Sequence, residues 1–490
     1  MPPVSEIRVC RLNKGEVNPQ GRFVLYWMTA ARRTRYNFGL QRAVEWANKL
    51  TKPLVVLEAL RTDYPWASRR LHAFVMQGMA ENAARLARAG ALAYPYLEME
   101  KGQGKGLLAA LARLSCLVVA DQFPCFFIPR MLQSAAGQVP VRLEAVDSCG
   151  LLPLAAAGRE FTTAHSFRRF LQKNLPAHLA QFPDQDPLKN SGLKKPPRLP
   201  AEITRRWPRQ DVRKLARPGG LLDRLPVDQK VKEAAIIGGE PAARKAWRGF
   251  MKNGLARYLT ERNQPLAKAE SGLSPYLHFG HISSHEVFLD LARHEGWAPH
   301  VLSARADGRR QGFWGMSPAA EAFLDQIITW RELGYVFCQR RPDYYQYDSL
   351  PAWARATLQE HARDPRPYVY ELEDFAQART HDPLWNAAQR QLLTEGVMHN
   401  YLRMLWGKKI LHWSKSPQAA FAIMTELNNR YALDGRDPNS FSGISWCLGR
   451  FDRAWGPVRP VFGKIRYMSS KNTARKIDVR PYLQKYGPPA

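Results

Sequence analysis

The chain has 490 residues, 45% of them hydrophobic, so two or three domains with packed cores are expected. No apolar run reaches the ~18 residues of a membrane span, which argues against a membrane partner. Lysine and arginine total 72 against 43 aspartates and glutamates, a net charge of +29. This balance favours a polyanionic partner such as nucleic acid, with an inert basic surface as the alternative.

The cysteines predict a reducing compartment. None of the six shows the C-x-x-C spacing of a metal site: Cys10, Cys116, Cys125, Cys149, Cys338 and Cys447. Residues 1–21 also lack the apolar core of a signal peptide. We therefore expect a cytoplasmic protein without metal. It would be associated with the nucleoid if its partner is DNA, and nuclear in a eukaryotic host.

The first third alternates strand-like and helix-like patterns. Short apolar runs predict strands at 23–27, 54–57, 117–120 and 141–146, with helices over 36–50 and 68–89. This alternation is typical of a Rossmann-like α/β domain with a parallel sheet, which we place at residues 20–165. No glycine-rich phosphate loop is present in this domain.

A proline-rich basic stretch, residues 166–238, predicts an interdomain linker. Helical periodicity dominates after it and predicts an all-helical domain over 239–490. The predicted helices are 241–260, 285–294, 319–338, 352–362, 386–396, 399–413 and 417–429.

Two short motifs open the helical domain. The first, S-G-L-S-P-Y-L-H-F-G at 271–280, places small hydroxyl residues beside a glycine, which lets backbone N–H groups approach a phosphate. Taken alone it is equally a capped turn. The second is Trp330-Arg331-Glu332 in an apolar helix, where a half-buried aromatic beside a surface ion pair is the simpler interpretation.

Two longer motifs follow. The first, residues 381–413, reads HDPLWNAAQRQLLTEGVMHNYLRMLWGKKILHW. Trp406 and Trp413 lie on one helical face, a pattern that usually marks core packing. Arg403 lies among apolar residues, where a buried arginine needs a carboxylate partner. ELNNRYALDGRDPN, 426–439, ends in a turn with two carboxylates. Metal binding is conceivable there, but Arg436 between the carboxylates argues against it. Trp446 and Trp455 follow and suit stacking on bases.

Taken in this order, the four stretches resemble the cryptochrome/photolyase family. Class II photolyases in particular are similar in the motif N-N-R-Y-A-L-D-G-R-D-P-N and in the later motifs D-R-A-W-G and V-F-G-K-I-R-Y-M. Tyr26-Trp27-Met28 near the N-terminus is similar to the same class. The resemblance is dense over 256–479 and thinner over 20–150. It implies FAD in the helical, catalytic domain. It also implies an antenna-type α/β domain. This domain would hold a deazaflavin, a folate or no second chromophore.

The resemblance also implies roles for individual residues. Those at the flavin would be Tyr258, Ser271, Gly272, Leu273, Ser274, Arg331, Arg403, Asn428, Asp434 and Arg436. Tyr258, the 271–274 turn and Arg331 would hold the phosphate side. Arg403 and Asp434 would form an ion pair beside the ring, and Asn428 would face flavin N5. Arg436 replaces the aspartate of other photolyase classes, which is usual for class II.

The implied activity is light-driven repair of cyclobutane pyrimidine dimers by electron transfer from reduced FAD. Trp406, Trp385 and Trp413 would re-reduce the flavin, with Trp406 nearest the ring. The partner would be UV-damaged DNA, single- or double-stranded, whose dimer flips into a cavity lined by Trp330, Trp446, Met404 and Asn263. A monomer is expected.

Alternatives and one departure remain. A cryptochrome-like flavin photoreceptor without repair is the main alternative. A DNA-binding protein without cofactor would leave Arg403 and Asp434 unexplained. Photolyases usually carry a glutamate one turn before the Trp330 position, but here Gln326 stands four residues before it. We expect Gln326 to take that donor role, with Asp325 or a water as the alternative.

Overall fold

The computed structural model describes residues 2–488, which divide into two compact units. Unit 1 combines the residues up to Gly158 with Leu175–Trp247 and Leu273–Gly296. Unit 2 combines Arg159–Asn174, Arg248–Gly272 and the residues from Trp297 onward. The predicted division at 20–165, 166–238 and 239–490 stays a prediction.

Unit 1 is built on a six-stranded sheet with the order β1-β6-β5-β2-β3-β4. All neighbouring strands are parallel except β1, which runs antiparallel to β6. The strands are β1 (Val9–Arg11), β2 (Phe23–Trp27), β3 (Leu54–Leu60), β4 (Leu92–Leu97), β5 (Ser115–Gln122) and β6 (Leu143–Asp147). Every residue of β2 is buried, as expected for a parallel strand covered on both faces. The predicted α/β domain is confirmed.

The two edge strands escaped the sequence prediction. Strand β1 has only three residues, and β4 contains Pro95, which lacks the N–H that an inner strand needs. The predicted strand at 141–146 begins later, at Leu143.

The helices up to residue 300 are α1 (Phe38–Leu50), α2 (Arg69–Arg88), α3 (Leu107–Ala112), α4 (Ile128–Ala136), α5 (Ala164–Asn174), α6 (Ala201–Arg206), α7 (Val212–Ala216), α8 (Gly219–Leu222), α9 (Glu240–Asn253), α10 (Leu255–Glu261), α11 (Ser274–His278) and α12 (Ser284–His294). The predicted helix over 241–260 is therefore two helices, α9 and α10, with Gly254 between them.

The later helices are α13 (Pro318–Leu324), α14 (Arg331–Arg340), α15 (Ala352–Glu360), α16 (Leu372–Ala376), α17 (Pro383–Glu395), α18 (Asn400–Trp413), α19 (Pro417–Tyr431), α20 (Pro438–Cys447), α21 (Ser470–Lys476) and α22 (Arg480–Tyr486). Within residues 2–488 no strand follows Asp147, so the all-helical prediction for the later part of the chain is confirmed. No described helix is both long and apolar enough to cross a bilayer.

The predicted continuous helix over 319–338 is interrupted. Asp325–Trp330 forms one turn of π-helix between α13 and α14. A π turn inserts one residue into the helical register and often marks a functional position. Periodicity alone did not reveal it, because one extra residue hardly changes the apolar pattern.

Candidate functional site

The Arg403–Asp434 ion pair lies at the centre of the candidate site in unit 2. Two guanidinium nitrogens of Arg403, on α18, donate to the two Asp434 carboxylate oxygens at 3.0 and 3.2 Å. The Asp434 side chain is 9% exposed and that of Arg403 is 25% exposed. A bidentate pair of this kind fixes both groups in one orientation. The partner predicted for Arg403 is therefore present, and its place beside a flavin stays a prediction.

Arg436 fixes the turn that carries Asp434. Its buried guanidinium donates to the backbone oxygens of Asn429, Ala432 and Leu433, at the carboxyl end of α19. Its backbone N–H donates to the Asn429 side chain at 2.7 Å, and its φ is +64°. These contacts cap the helix, so Arg436 positions Asp434. Its predicted contact with a cofactor stays a prediction.

Asn428 lies beside this cap. Its amide nitrogen is 3.4 Å from the Asn429 side-chain oxygen, and its side chain is buried. The Asn429 amide nitrogen is buried without a partner among the described residues. A buried donor without a partner is costly, which is consistent with a ligand group here.

Glu270 and His399 add titratable groups near the pair. The His399 Nε2 atom is 3.1 Å from the Arg262 carbonyl and 3.4 Å from a Glu270 carboxylate oxygen. Burial lowers the pKa of His399 to about 4, so its ring is neutral near pH 7. Partial desolvation raises the pKa of Glu270 to about 7, although 41% of its side chain is exposed, and the Asn400 backbone and the charge of Arg403 oppose that shift. The His399 Nδ1 atom is buried without a partner in the described part of the chain.

The predicted phosphate-binding residues include an open turn at Gly272, and their contact with a phosphate stays a prediction. Gly272 has a φ of +64°, and no heavy atom lies within 4 Å of the Cβ that another residue would add. Leu273 is buried, whereas Ser274 is exposed and begins α11. Tyr258 packs on Phe323, with ring centroids 5.6 Å apart, and burial raises its pKa to about 12.

The π turn presents Gln326 and Trp330, both half-buried. The neighbouring Asp325 carboxylate accepts from the buried Arg168 guanidinium at 2.7 Å. Arg331, next in the chain, donates to the Tyr335 hydroxyl at 2.9 Å. That hydroxyl is 3.4 Å from a carboxylate oxygen of Asp437, in the same turn as Asp434. Two of the sequence motifs therefore meet through Tyr335.

The three predicted tryptophans form a buried line. Trp406 and Trp385 are stacked, with centroids 6.4 Å apart and ring planes 4° apart, and Trp385 is 6.2 Å from Trp413. The Trp406 indole N–H donates to Gln389 at 2.9 Å. All three are at most 3% exposed. Arg403 and Trp406 are three residues apart on α18, so the line begins beside the ion pair.

The line continues to the surface through residues that sequence analysis missed. The His381 ring is 4.8 Å from Trp413, and its Nδ1 atom is 2.9 Å from the Tyr370 hydroxyl. Tyr368 stacks on His381 at 3.6 Å and is 45% exposed. His381 begins the H-D-P-L-W motif, which was the available signal. Aromatic rings therefore connect Trp406 with solvent.

A second polar cluster surrounds Trp446 at the end of α20. The Lys408 ammonium is fully buried, donates to the Cys447 carbonyl at 2.8 Å and lies 4.7 Å from the Trp446 ring centroid. The Arg466 guanidinium lies 4.0 Å from the Trp455 ring and pairs with Asp452 at 2.8 Å. Sequence analysis missed Lys408, Arg466 and Asp452. Met404 is half-buried and Asn263 exposed, and their predicted substrate contacts stay predictions.

In unit 1, the crevice where the strand order reverses, between β2 and β5, holds a carboxylate. One Asp121 oxygen accepts from the backbone N–H groups of Thr29, Ala30 and Ala31 at 2.8, 2.8 and 2.9 Å. The other accepts from the Tyr26 hydroxyl at 2.6 Å. Such a nest of N–H groups commonly holds a nucleotide phosphate. Here Asp121 fills it.

Comparison with curated proteins found full-length relatives. The chain is 34% identical over 481 residues to the deoxyribodipyrimidine photo-lyase of Methanothermobacter thermautotrophicus, covering 98% of this chain and 97% of the relative. It is 31% identical to the protein of that name from Arabidopsis thaliana, covering 97% and 92%. The corresponding Potorous tridactylus protein is 30% identical, covering 96% and 82%. No family model matches the chain.

Solved structures share the fold. A class III photolyase from Agrobacterium tumefaciens matches with a TM-score of 0.66 and 18% identity, covering 95% of this chain and 86% of the other. An archaeal photolyase from Sulfolobus tokodaii, solved with two FAD molecules, matches with a TM-score of 0.65 and 14% identity, covering 95% and 90%. A Synechocystis cryptochrome matches with a TM-score of 0.61 and 15% identity, covering 95% and 88%.

Proposed function

The chain belongs to the deoxyribodipyrimidine photo-lyase family, and on that premise we propose that it repairs cyclobutane pyrimidine dimers in DNA, using light and a bound FAD. The observation that carries the proposal is the Arg403–Asp434 pair beside the Trp406–Trp385–Trp413 line. A fixed charge pair positions a redox cofactor, and a line of close aromatic rings conducts electrons to it.

The residues of unit 2 fit a flavin dinucleotide. The open space at Gly272 leaves room for a phosphate group, and the unpartnered His399 Nδ1 and Asn429 amide nitrogen offer buried polar contacts. The residues of unit 2 that would hold FAD are Tyr258, Ser271, Gly272, Arg331, Arg403, Asn428, Asp434 and Arg436. When bound and fully reduced, FAD supplies the excited electron that opens the dimer.

The protein contributes position, charge and a dry environment. Arg403 provides a fixed positive charge that stabilises an anionic reduced ring, and Asp434 holds that charge in place. His399 stays neutral near pH 7 because burial lowers its pKa to about 4, so it adds no competing charge. Asn428 offers an amide donor or acceptor. Trp406 would pass electrons inward from the surface end of the line.

Two groups of side chains suit a flipped dimer and its DNA. Trp330, Trp446, Met404 and Asn263 would surround the dimer, and Gln326 would donate to the carbonyl oxygen that gains charge during repair. Asp325 is a weaker candidate for that role because Arg168 engages its carboxylate at 2.7 Å. Arg466, stacked on Trp455, would meet the flanking phosphates and bases.

We propose class II membership from the N-N-R-Y-A-L-D-G-R-D-P-N motif, in which Arg436 caps α19. Repair is favoured over a photoreceptor role because the full-length relatives described above are all named photo-lyases, whereas the cryptochrome shares only 15% identity. Any antenna chromophore would have to bind without a phosphate in the Asp121 nest.

Asp434→Asn and Asp452→Asn are a matched pair of variants that tests the flavin site. Each aspartate is 9% exposed and forms a bidentate pair with an arginine of unit 2. Losing a hydrogen bond to a charged group costs about 1.5–3 kcal/mol. The dissociation constant for flavin should therefore be about tenfold or more higher in Asp434→Asn than in the wild type. Asp452→Asn should keep its flavin. Flavin absorbance per chain, measured after dialysis, gives the flavin that each variant retains. Equal flavin retention in both variants would contradict the proposed flavin site.

A further inference from the structure

The segment 189–217 of unit 1 concentrates unpaired positive charge. It holds ten cations, Lys189, Lys194, Lys195, Arg198, Arg205, Arg206, Arg209, Arg213, Lys214 and Arg217, against two acids, Glu202 and Asp211. All ten cations are exposed. Within the described part of the chain, none has a carboxylate within 4 Å, whereas many other arginines of unit 1 are paired with one.

This segment is held firmly in place. The Trp207 indole N–H donates to the Gln103 carbonyl at 3.0 Å, and the Trp207 carbonyl accepts from the buried Tyr94 hydroxyl at 2.5 Å. The Gln210 N–H donates to the Pro95 carbonyl at 2.8 Å. Ile203, Trp207 and Leu215 are at most 5% exposed. The apolar side of residues 203–215 is therefore packed, and the cations of this stretch are presented on a fixed backbone.

Neighbouring residues extend the charge. Lys101 and Lys105 lie in the loop that contains Gln103, and both are exposed. Arg22, also exposed, donates to the Arg198 carbonyl at 2.7 Å. We call these three cations and the ten of residues 189–217 the basic surface.

The chemistry of the basic surface selects phosphodiester backbones over other anions. Arginine forks match phosphate oxygens, and each cation placed on a duplex releases a counterion. Stable anchoring on a bilayer takes an inserted apolar group besides basic charge, and Ile203, Trp207 and Leu215 are buried inside unit 1. Trp207, the segment's one aromatic side chain, is 5% exposed, so stacking on bases is not available. Such a surface binds backbone without reading sequence or damage.

We propose that the basic surface is an accessory DNA-binding site on unit 1 that holds undamaged duplex through its phosphates, apart from the dimer-binding residues of unit 2. The choice of DNA as the polyanion rests on the proposed function. The contact would keep the enzyme on duplex DNA between lesions and would matter most at low salt.

The test is a fourfold variant, Arg205→Gln, Arg213→Gln, Lys214→Gln and Arg217→Gln, which changes only exposed side chains of α6, of α7 and of the residue that follows α7. The control carries the same change at Lys14, Lys49, Arg88 and Arg130, four exposed cations elsewhere in unit 1 that have no ion pair with any residue from 2 to 488. Binding to an undamaged 30-base-pair duplex is measured from 50 to 200 mM salt. Light-dependent repair of a dimer in a five-nucleotide oligomer is measured in parallel.

We expect the fourfold variant to bind the undamaged duplex about tenfold or more weakly, with the log–log salt slope reduced by up to about 3.6. The control should bind as the wild type does, and all three proteins should repair the short oligomer equally. A variant that binds duplex as tightly as the control overturns the accessory site and leaves the repair proposal standing. A wild type that binds duplex through the basic surface but repairs nothing supports the site and contradicts the repair proposal. Binding of the wild type to anionic phospholipid vesicles but not to duplex overturns the accessory site in favour of a membrane surface.

Discussion

The buried ammonium of Lys408 makes the stability of the protein depend on pH in a calculable way. Burial lowers the pKa of Lys408 from 10.5 to about 8. Its neighbours are the Cys447 carbonyl and the Trp446 ring, with Asp452 and Arg466 as the nearby charges. Burial raises the pKa of the Cys447 thiol to about 11, so the thiol stays neutral below pH 10.

The direction follows from proton binding. Between about pH 8 and 10.5 the unfolded chain binds more protons at Lys408 than the folded protein, so stability rises with pH in that window. Below pH 8 the buried ammonium lowers the free energy of unfolding by its full penalty. That penalty is about 3 kcal/mol, because the pKa of Lys408 differs by about 2.5 between the unfolded and folded states. At pH 9.5 about two fifths of that penalty remains, so the gain from pH 7 to pH 9.5 is about 2 kcal/mol.

Lys408→Met removes the titrating group at similar length, and Lys415→Met, at an exposed position, serves as the control. Urea unfolding of the three proteins at pH 7 and 9.5 gives the free energies. From pH 7 to pH 9.5, the free energy of unfolding of the wild type should rise by about 2 kcal/mol relative to that of Lys408→Met. The Lys415→Met difference should not change with pH. Parallel pH dependence in wild type and Lys408→Met would refute the buried, low-pKa ammonium.

Two further predictions concern the proposed chemistry. Trp406→Phe should slow photoreduction of oxidised flavin strongly while repair by chemically reduced enzyme stays near the wild-type rate, because the line loses its first oxidisable indole. Trp247→Phe, at a tryptophan 1% exposed outside the line, should leave photoreduction unchanged. Flavin bleaching under blue light with a reductant measures both, and equal bleaching would show that Trp406 is only a core residue. Gln326→Ala should lower the repair yield because a charge-gaining oxygen loses its donor, and Gln326→Glu should repair at neutral pH but lose activity at alkaline pH. Repair yields that match the wild type at every pH in both variants would remove Gln326 from the site.

Much of the fold follows from local patterns. The inner strands β2, β3 and β5 are continuous apolar runs, and helices such as α1 and α2 carry clear helical periodicity. The edge strands were missed because β1 is short and β4 contains Pro95. The π turn at Asp325–Trp330 was missed because it depends on how neighbouring helices pack.

The site was predictable where a local rule applied. A half-buried arginine among apolar residues demands a carboxylate, and Arg403 finds one in Asp434, thirty-one residues away. Contacts between distant segments gave no comparable signal. The Lys408–Cys447 bond, the Arg466–Trp455 stack and the Tyr370–His381 contact depend on tertiary structure that no sequence spacing encodes. The motif also gave no sign that Arg436 caps the end of α19, and the predicted contact of Arg436 with a cofactor stays a prediction.

The most direct test of the central claim is the loss of cyclobutane dimers from irradiated DNA mixed with the purified, reduced protein. Dimers are counted after blue or near-ultraviolet light and after an equal time in the dark. We predict that dimers disappear in the light and persist in the dark, with a flavin spectrum at about one FAD per chain. A yellow protein that leaves the dimers intact under light would contradict the repair function. A colourless protein that stays colourless with excess FAD would contradict the flavin site itself.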